Sequence, residues 1–174
     1  IIRRMKTNAL GVANYLLELA KKQNIDVEPL KLMKLVYIAH GYMLALFNRS
    51  ALDERFDWVE AWKYGPVIPS VYHSFKSYGR EKTDKPTTIF APTPDGLDFE
   101  IKTPMLEDPD LQRACQAAFN NFGQYTGVEL VEMLHIKGTP WQRCYKEGKN
   151  RRIPDDLTKV FFQNLTREIV YGNY

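Results

Sequence analysis

Cysteine is scarce: the 174 residues hold only Cys115 and Cys144, well separated and neither in a Cys-x-x-Cys pair. A disulfide-stapled scaffold is excluded, and a zinc site lacks its usual ligand spacing. Both thiols read as small buried hydrophobes in a reducing compartment. No apolar run of signal-peptide length opens the chain, since IIRRMKTN is broken by charge. Met5 reads as the natural start, with Ile1 to Arg4 upstream of it. The most apolar stretch, Leu30 to Phe47, carries Lys31, Lys34 and His40. That suits a buried helix, so no membrane partner and a cytoplasmic location are expected. Charge of one sign is also short. Lys and Arg number 24 against 21 Asp and Glu, a net +3, too small a surplus to argue for nucleic acid by itself. Gly-x-Ser-x-Gly, His-Glu-x-x-His, the P-loop and Gly-x-Gly-x-x-Gly after a strand are all missing. No catalytic residue, metal site or cofactor emerges from the spacing.

What is present is an ordinary globular balance, 44% hydrophobic and 26% charged, long enough to bury a real core as one domain. We expect an N-terminal extension over 1–7 and a single domain over 8–174. Helical spacing and an Asn8 cap predict a first helix from Ala9 to Lys22, with Ala9, Val12, Ala13, Leu16, Leu19 and Ala20 inward. Pro29 opens a second helix to Phe47, apolar on most sides and therefore central, with Leu46 among its inward residues. Trp58 to Tyr64 alternates weakly as a short strand, Gly65-Pro66 reads as a turn, and Pro69 opens a third helix stopped by Gly79. Thr87 to Ala91 and Leu97 to Thr103 flank the turn sequence TPDG as a small β-hairpin. Further helices follow Asp108-Pro109, Thr126 with Glu129 as a capping box, Thr139-Pro140 and Ile153-Pro154. Val128 and Val160 are assigned inward faces. The fold class is mainly α: a compact single-domain fold of about six to seven helices with a small β-hairpin or short strands.

The charged clusters have bland readings. Asp53, Glu54 and Asp57 read as a solvated loop, and Asp155 and Asp156 as first-turn acids facing a helix dipole. Lys146, Lys149, Arg151 and Arg152 read as a basic solvated loop; without a DNA- or RNA-reading motif, nucleic acid is not an expected partner. The histidines His40, His73 and His135 fall on separate helices. His40 and His135 read as structural, in the core or at a helix end. The conspicuous stretch is EAWKYGPVIPSVY, residues 60–72, with Trp62, Tyr64 and Tyr72 around Gly65, Pro66 and Pro69. Rings with polar tips on a proline-stiffened turn serve either as a corner of the core or as a pre-set binding epitope.

Three segments carry a family resemblance: LKLMKLVYIAHGYMLAL (30–46), EAWKYGPVIPSVYHSFKSYG (60–79) and ELVEMLHIKGTPWQRCY (129–145). They resemble the Panacea domain, also described as SocA-like or GepA-like, and with VANYLLELA (12–20) the match runs in order over most of the chain. The resemblance implies a mainly helical, non-enzymatic antitoxin that neutralises a protein toxin encoded by a neighbouring gene. Many members act by direct binding; one branch is an adaptor that delivers its toxin to a protease. An enzyme built around His135 is the remaining alternative. The partner-binding set that follows is Tyr64, Val67 and Tyr72 as anchors, with Trp62, His135, Trp141 and Tyr37 as neighbouring rings or supports. Gly65, Pro66 and Pro69 would hold its shape. The proline-rich segment 83–105 does not match the family pattern and is a candidate for specificity.

Overall fold

The computed structural model describes residues 9–172, so the expected Asn8 cap and the 1–7 extension lie outside the described residues. Helix α1 (Ala9–Lys22) leads into α2 (Pro29–Phe47), which starts at the proline and ends where Asn48 turns left-handed at φ 53°. All of Lys31–Leu44 is buried, because α2 is enclosed by α1, by α4 (Pro109–Phe122), α5 (Gly127–His135) and α7 (Asp155–Tyr171), and by strand β2 (Gly65–Val67). Of the described helices only α2 is long and apolar enough to cross a membrane, and here it forms the interior of the protein. The expected core face holds except at its end, where Leu46 is half exposed.

Helix starts are fixed by local chemistry. The Asp108 carboxylate accepts from the backbone N–H groups of Asp110 and Leu111 at the start of α4. Thr126 and Glu129 exchange bonds of 3.2 and 2.7 Å as the capping box of α5. Thr139 caps α6 (Pro140–Cys144). Helix α1 draws on a distant residue: Asp57 accepts from the Ala9 backbone N–H at 3.3 Å and from the Ser70 hydroxyl at 2.5 Å. Asp57 therefore joins the start of α1 to the start of α3 (Pro69–Phe75), placing a carboxylate at the positive end of α1. With Asp53 also buried and bonded to Arg55, two of the three acids expected to be solvated are interior parts of the fold.

The faces of the shorter helices correct the sequence reading. Val128 of α5 is 62% exposed, and Gly127, Leu130 and Leu134 face inward instead. Val160 of α7 is 57% exposed while Phe162 and Thr158 are buried. Phe162 packs where α2 offers Gly41: a Cβ there would lie 2.1 Å from the ring. Of the two thiols, Cys115 is buried and Cys144 only partly so.

Two small sheets complete the fold. Antiparallel β1 (Glu60–Trp62) lies between β2 and the two-residue β5 (Arg151–Arg152). Gly65-Pro66 is thus a strand and not the expected turn; Trp62 pairs with Gly65, so the turn is Lys63-Tyr64. The missing N–H of Pro66 is tolerated because β2 is an edge strand. A 3-10 turn, Lys76–Tyr78, ends at Gly79. The second sheet is the expected hairpin, β3 (Ile89–Pro92) with β4 (Phe99–Lys102).

Candidate partner-binding surface

The β1–β2 hairpin puts Tyr64 at its tip, where the ring is 62% exposed beside the Lys63 ammonium. Behind it the backbone is held from two sides. The Trp141 indole N–H donates to the Trp62 carbonyl at 2.7 Å, and the Lys34 ammonium donates to the Pro66 carbonyl at 3.0 Å. Glu60 accepts from the indoles of both Trp58 and Trp62. Partly exposed rings spread out from the tip. Trp62 meets Tyr72 edge-to-face at 4.9 Å, and Trp141 lies stacked between His135 at 3.8 Å and Tyr145 at 4.6 Å. Arg152 sits 4.1 Å over the Trp58 ring, so the basic loop is docked through at least one side chain.

Nine of the ten residues singled out from sequence lie in or around the β1–β2 hairpin, in two layers, while Tyr37 faces α7. Tyr64 is exposed; Trp62, Pro69, Tyr72, His135 and Trp141 are half-buried. Tyr37, Gly65, Pro66 and Val67 are buried. Val67, expected as an anchor, therefore has no surface to offer. Tyr37 contributes to the core, with its hydroxyl bonded to Thr158 at 3.2 Å and its ring edge-on to Phe162.

Beneath Gly65 lies a polar node that the sequence did not reveal. Gly65 takes φ +103°, and a Cβ on it would lie 3.0 Å from Lys34 Nζ and 3.4 Å from His135 Nε2. Lys34 is fully buried, and burial pulls its pKa down to about 7. His135 is shifted down as well, first by burial and then by the Lys34 charge, and its Nε2 has no hydrogen-bond partner. His40 is a second interior histidine. Its Nδ1 accepts from the Ala51 N–H at 3.3 Å, which leaves Nε2 to donate to Asp155 at 3.1 Å. That bond holds the Asp155 carboxyl below its ordinary range, so Asp155 is more than a dipole-facing acid. Neither Lys34 nor His135 lines either of the two described cavities. Among the described residues no group of three His, Cys, Asp or Glu side chains could share a metal ion.

A second exposed surface lies on the β3–β4 hairpin. The register pairs Phe90 with Ile101 and Pro92 with Phe99, which puts these four on one face. All four are exposed, Phe90 by 77%, Phe99 by 68% and Ile101 by 67%. The half-buried Ile89 and Ala91 belong to the opposite face. A groove of about 670 Å³ opens at the hairpin base, lined by Leu17, Ile25, Val27, Pro104, Met105 and the buried Thr83 among others. The hairpin itself was legible in sequence, but which phase of its strands faces water was not, and Phe90 was missed.

A family model described as antitoxin SocA-like, Panacea domain, matches residues 32–142. Antitoxin SocA of Caulobacter vibrioides (strain NA1000 / CB15N) is 34% identical over 134 residues, covering 77% of this chain and 68% of that protein. No solved structure matches the chain.

Proposed function

Because the chain belongs to the SocA-like antitoxin family with a Panacea domain, we propose that it neutralises a cognate protein toxin by direct, stoichiometric binding through the aromatic ridge around Tyr64. The observation that supports this most is the contrast at the β1–β2 tip. An exposed tyrosine stands on backbone clamped by Trp141 and Lys34, so little conformational freedom is left to lose on docking. Trp62, Tyr72, His135 and Trp141 supply the half-buried surround that excludes water from such an anchor, while Gly65, Pro66, Val67 and Pro69 keep the ridge in shape and Tyr37 supports the core behind it. A standard interface covers about 800 Å² on each partner and rests on a few such anchors.

The test is a binding titration between the purified chain and the toxin encoded by the neighbouring gene. Tyr64→Ala is expected to keep the wild-type fold and to weaken binding by about tenfold to a hundredfold, the cost of removing a central aromatic anchor. Unchanged affinity with an intact fold removes Tyr64 from the interface. Toxin that is bound but also disappears from cells in the presence of a protease identifies an adaptor and not a stoichiometric inhibitor.

A further inference from the structure

The outer phase of the β3–β4 hairpin is apolar where solvent favours polar side chains. In a two-stranded sheet lying against a protein body, the inner face should be apolar and the outer face polar. Here Glu100 and Lys102 share the inner phase with Ile89 and Ala91 and pair with each other at 3.0 Å, while Phe90, Pro92, Phe99 and Ile101 point outward. A one-residue slip would exchange the two faces. The register is fixed at the turn by the bonds between Thr93 and Asp98, and the base of the hairpin is held by Asn14 of α1. Its side chain donates to the carbonyls of Thr87 and Pro104 at 3.1 and 3.0 Å and accepts from the Thr87 N–H at 2.9 Å, gripping both ends of the hairpin. Leu97, 87% exposed, stands near the turn, and Met105, 73% exposed, continues past β4 into the groove wall. These five large side chains expose on the order of 600 Å² between them, at the upper end for a monomer's largest apolar patch. In the groove itself, the Thr83 hydroxyl is buried without a hydrogen-bond partner.

We propose that this outward face, with the groove at its base, is a second docking surface, and that its occupant is an apolar segment of the toxin rimmed by Lys or Arg. The inference rests on the reading that the chain binds a protein toxin. Charge selects the occupant. Around the outward face and the groove, Glu18, Asp84, Asp95, Asp98 and Glu107 outnumber Lys21, Lys82 and Lys85, in a chain whose net charge is +3. A basic rim on the partner meets this acidic border with attraction. A second copy docking face to face would set acid against acid.

The experiment uses the full chain and the purified product of the neighbouring toxin gene, titrated calorimetrically at two salt concentrations. Phe90→Ser with Phe99→Ser is expected to weaken binding at least a hundredfold, with wild-type circular dichroism and Tm, since both rings are exposed. Asp84→Lys with Glu107→Lys leaves the apolar face intact; it is expected to weaken binding about tenfold and to flatten its dependence on salt. Wild-type affinity in the folded serine variant overturns the proposal. So does a wild-type dimer that the serine variant converts to monomer with toxin affinity unchanged, because the face then belongs to a second copy. If Tyr64→Ala weakens binding while the hairpin variants do not, only the hairpin inference falls. If the wild-type chain does not bind the toxin at all, direct neutralisation falls and the hairpin proposal falls with it.

Discussion

Lys34, Gly65 and His135 show how one glycine can carry a segment. Gly65 holds φ +103°, a region that side chains with a Cβ resist, and its absent Cβ leaves room for two nitrogens from two helices. Gly65→Ala meets both objections together and is expected to lower stability by about 2–3 kcal/mol in urea unfolding. The same node makes stability depend on pH. Folded Lys34 titrates near 7, against 10.5 for an ordinary lysine. Between those values the unfolded chain holds a proton that the folded chain lacks, so stability rises with pH across that window. His135 acts in the same sense lower down: its depressed pKa lets the unfolded state take up a proton first as pH falls through the ordinary histidine range. Lys34→Met is expected to flatten the unfolding free energy between pH 7 and 10.5 relative to wild type, at the constant cost of the unpaired Pro66 carbonyl. Equal slopes for the two proteins would mean that Lys34 keeps an ordinary pKa in the fold. Composition could not announce any of this. Lys34 counted in the sequence as a charge inside an apolar run, and only the crossing of α2 beneath β2 gives it a carbonyl to hold.

At the scale of elements, the helix starts were legible because their signals are local. Pro29, Asp108, Thr126 with Glu129, and Thr139 each act within one turn of the helices they begin, and the structure shows helices starting at those places. Which face turns inward is decided elsewhere, and there the sequence misled. Val128 and Val160 fit a helical stripe but point to water, since Leu130 and Phe162 meet the centre of the fold. Gly65-Pro66 has the chemistry of a turn, yet edge position and the Lys34 bond make it a strand. The seam between α2 and α7 is the most demanding contact of this kind. Phe162 is fully buried, packs against Tyr37 and Tyr42, and sits where Gly41 has no side chain. Gly41→Ala gains helix propensity but forces its Cβ into the ring, and overpacking is expected to win by about 2 kcal/mol or more. Phe162→Leu should be costly alone yet recover part of the loss in the double variant. A double-mutant cycle with no coupling between the two positions would contradict the seam as described.

For the whole molecule, the legible part was the family and the mainly helical class, carried by the segments 30–46, 60–79 and 129–145; the unread part was exposure. The stretch 60–72 reads as a single epitope in one dimension, but folding divides it into a buried layer of Gly65, Pro66 and Val67 and an outer ridge led by Tyr64. Both that ridge and the β3–β4 hairpin are fastened to the α1–α2 layer, the first through Lys34 and the second through Asn14. A toxin bound to the native chain and not to its unfolded form must therefore stabilise the whole domain and not merely the contacted loops. At toxin concentrations a hundred times Kd the gain is about 2.7 kcal/mol. For a domain of this size each kcal/mol moves Tm by about 2–4 °C, so a rise of roughly 5–10 °C is expected in a thermal scan. Tyr64→Ala, measured at the wild-type saturating concentration, should show a smaller rise from the same starting Tm, because the ring is exposed and contributes to binding more than to the core. A toxin that co-purifies yet leaves Tm unchanged would mean that it engages folded and unfolded chain alike, and neither surface described above would then be its site.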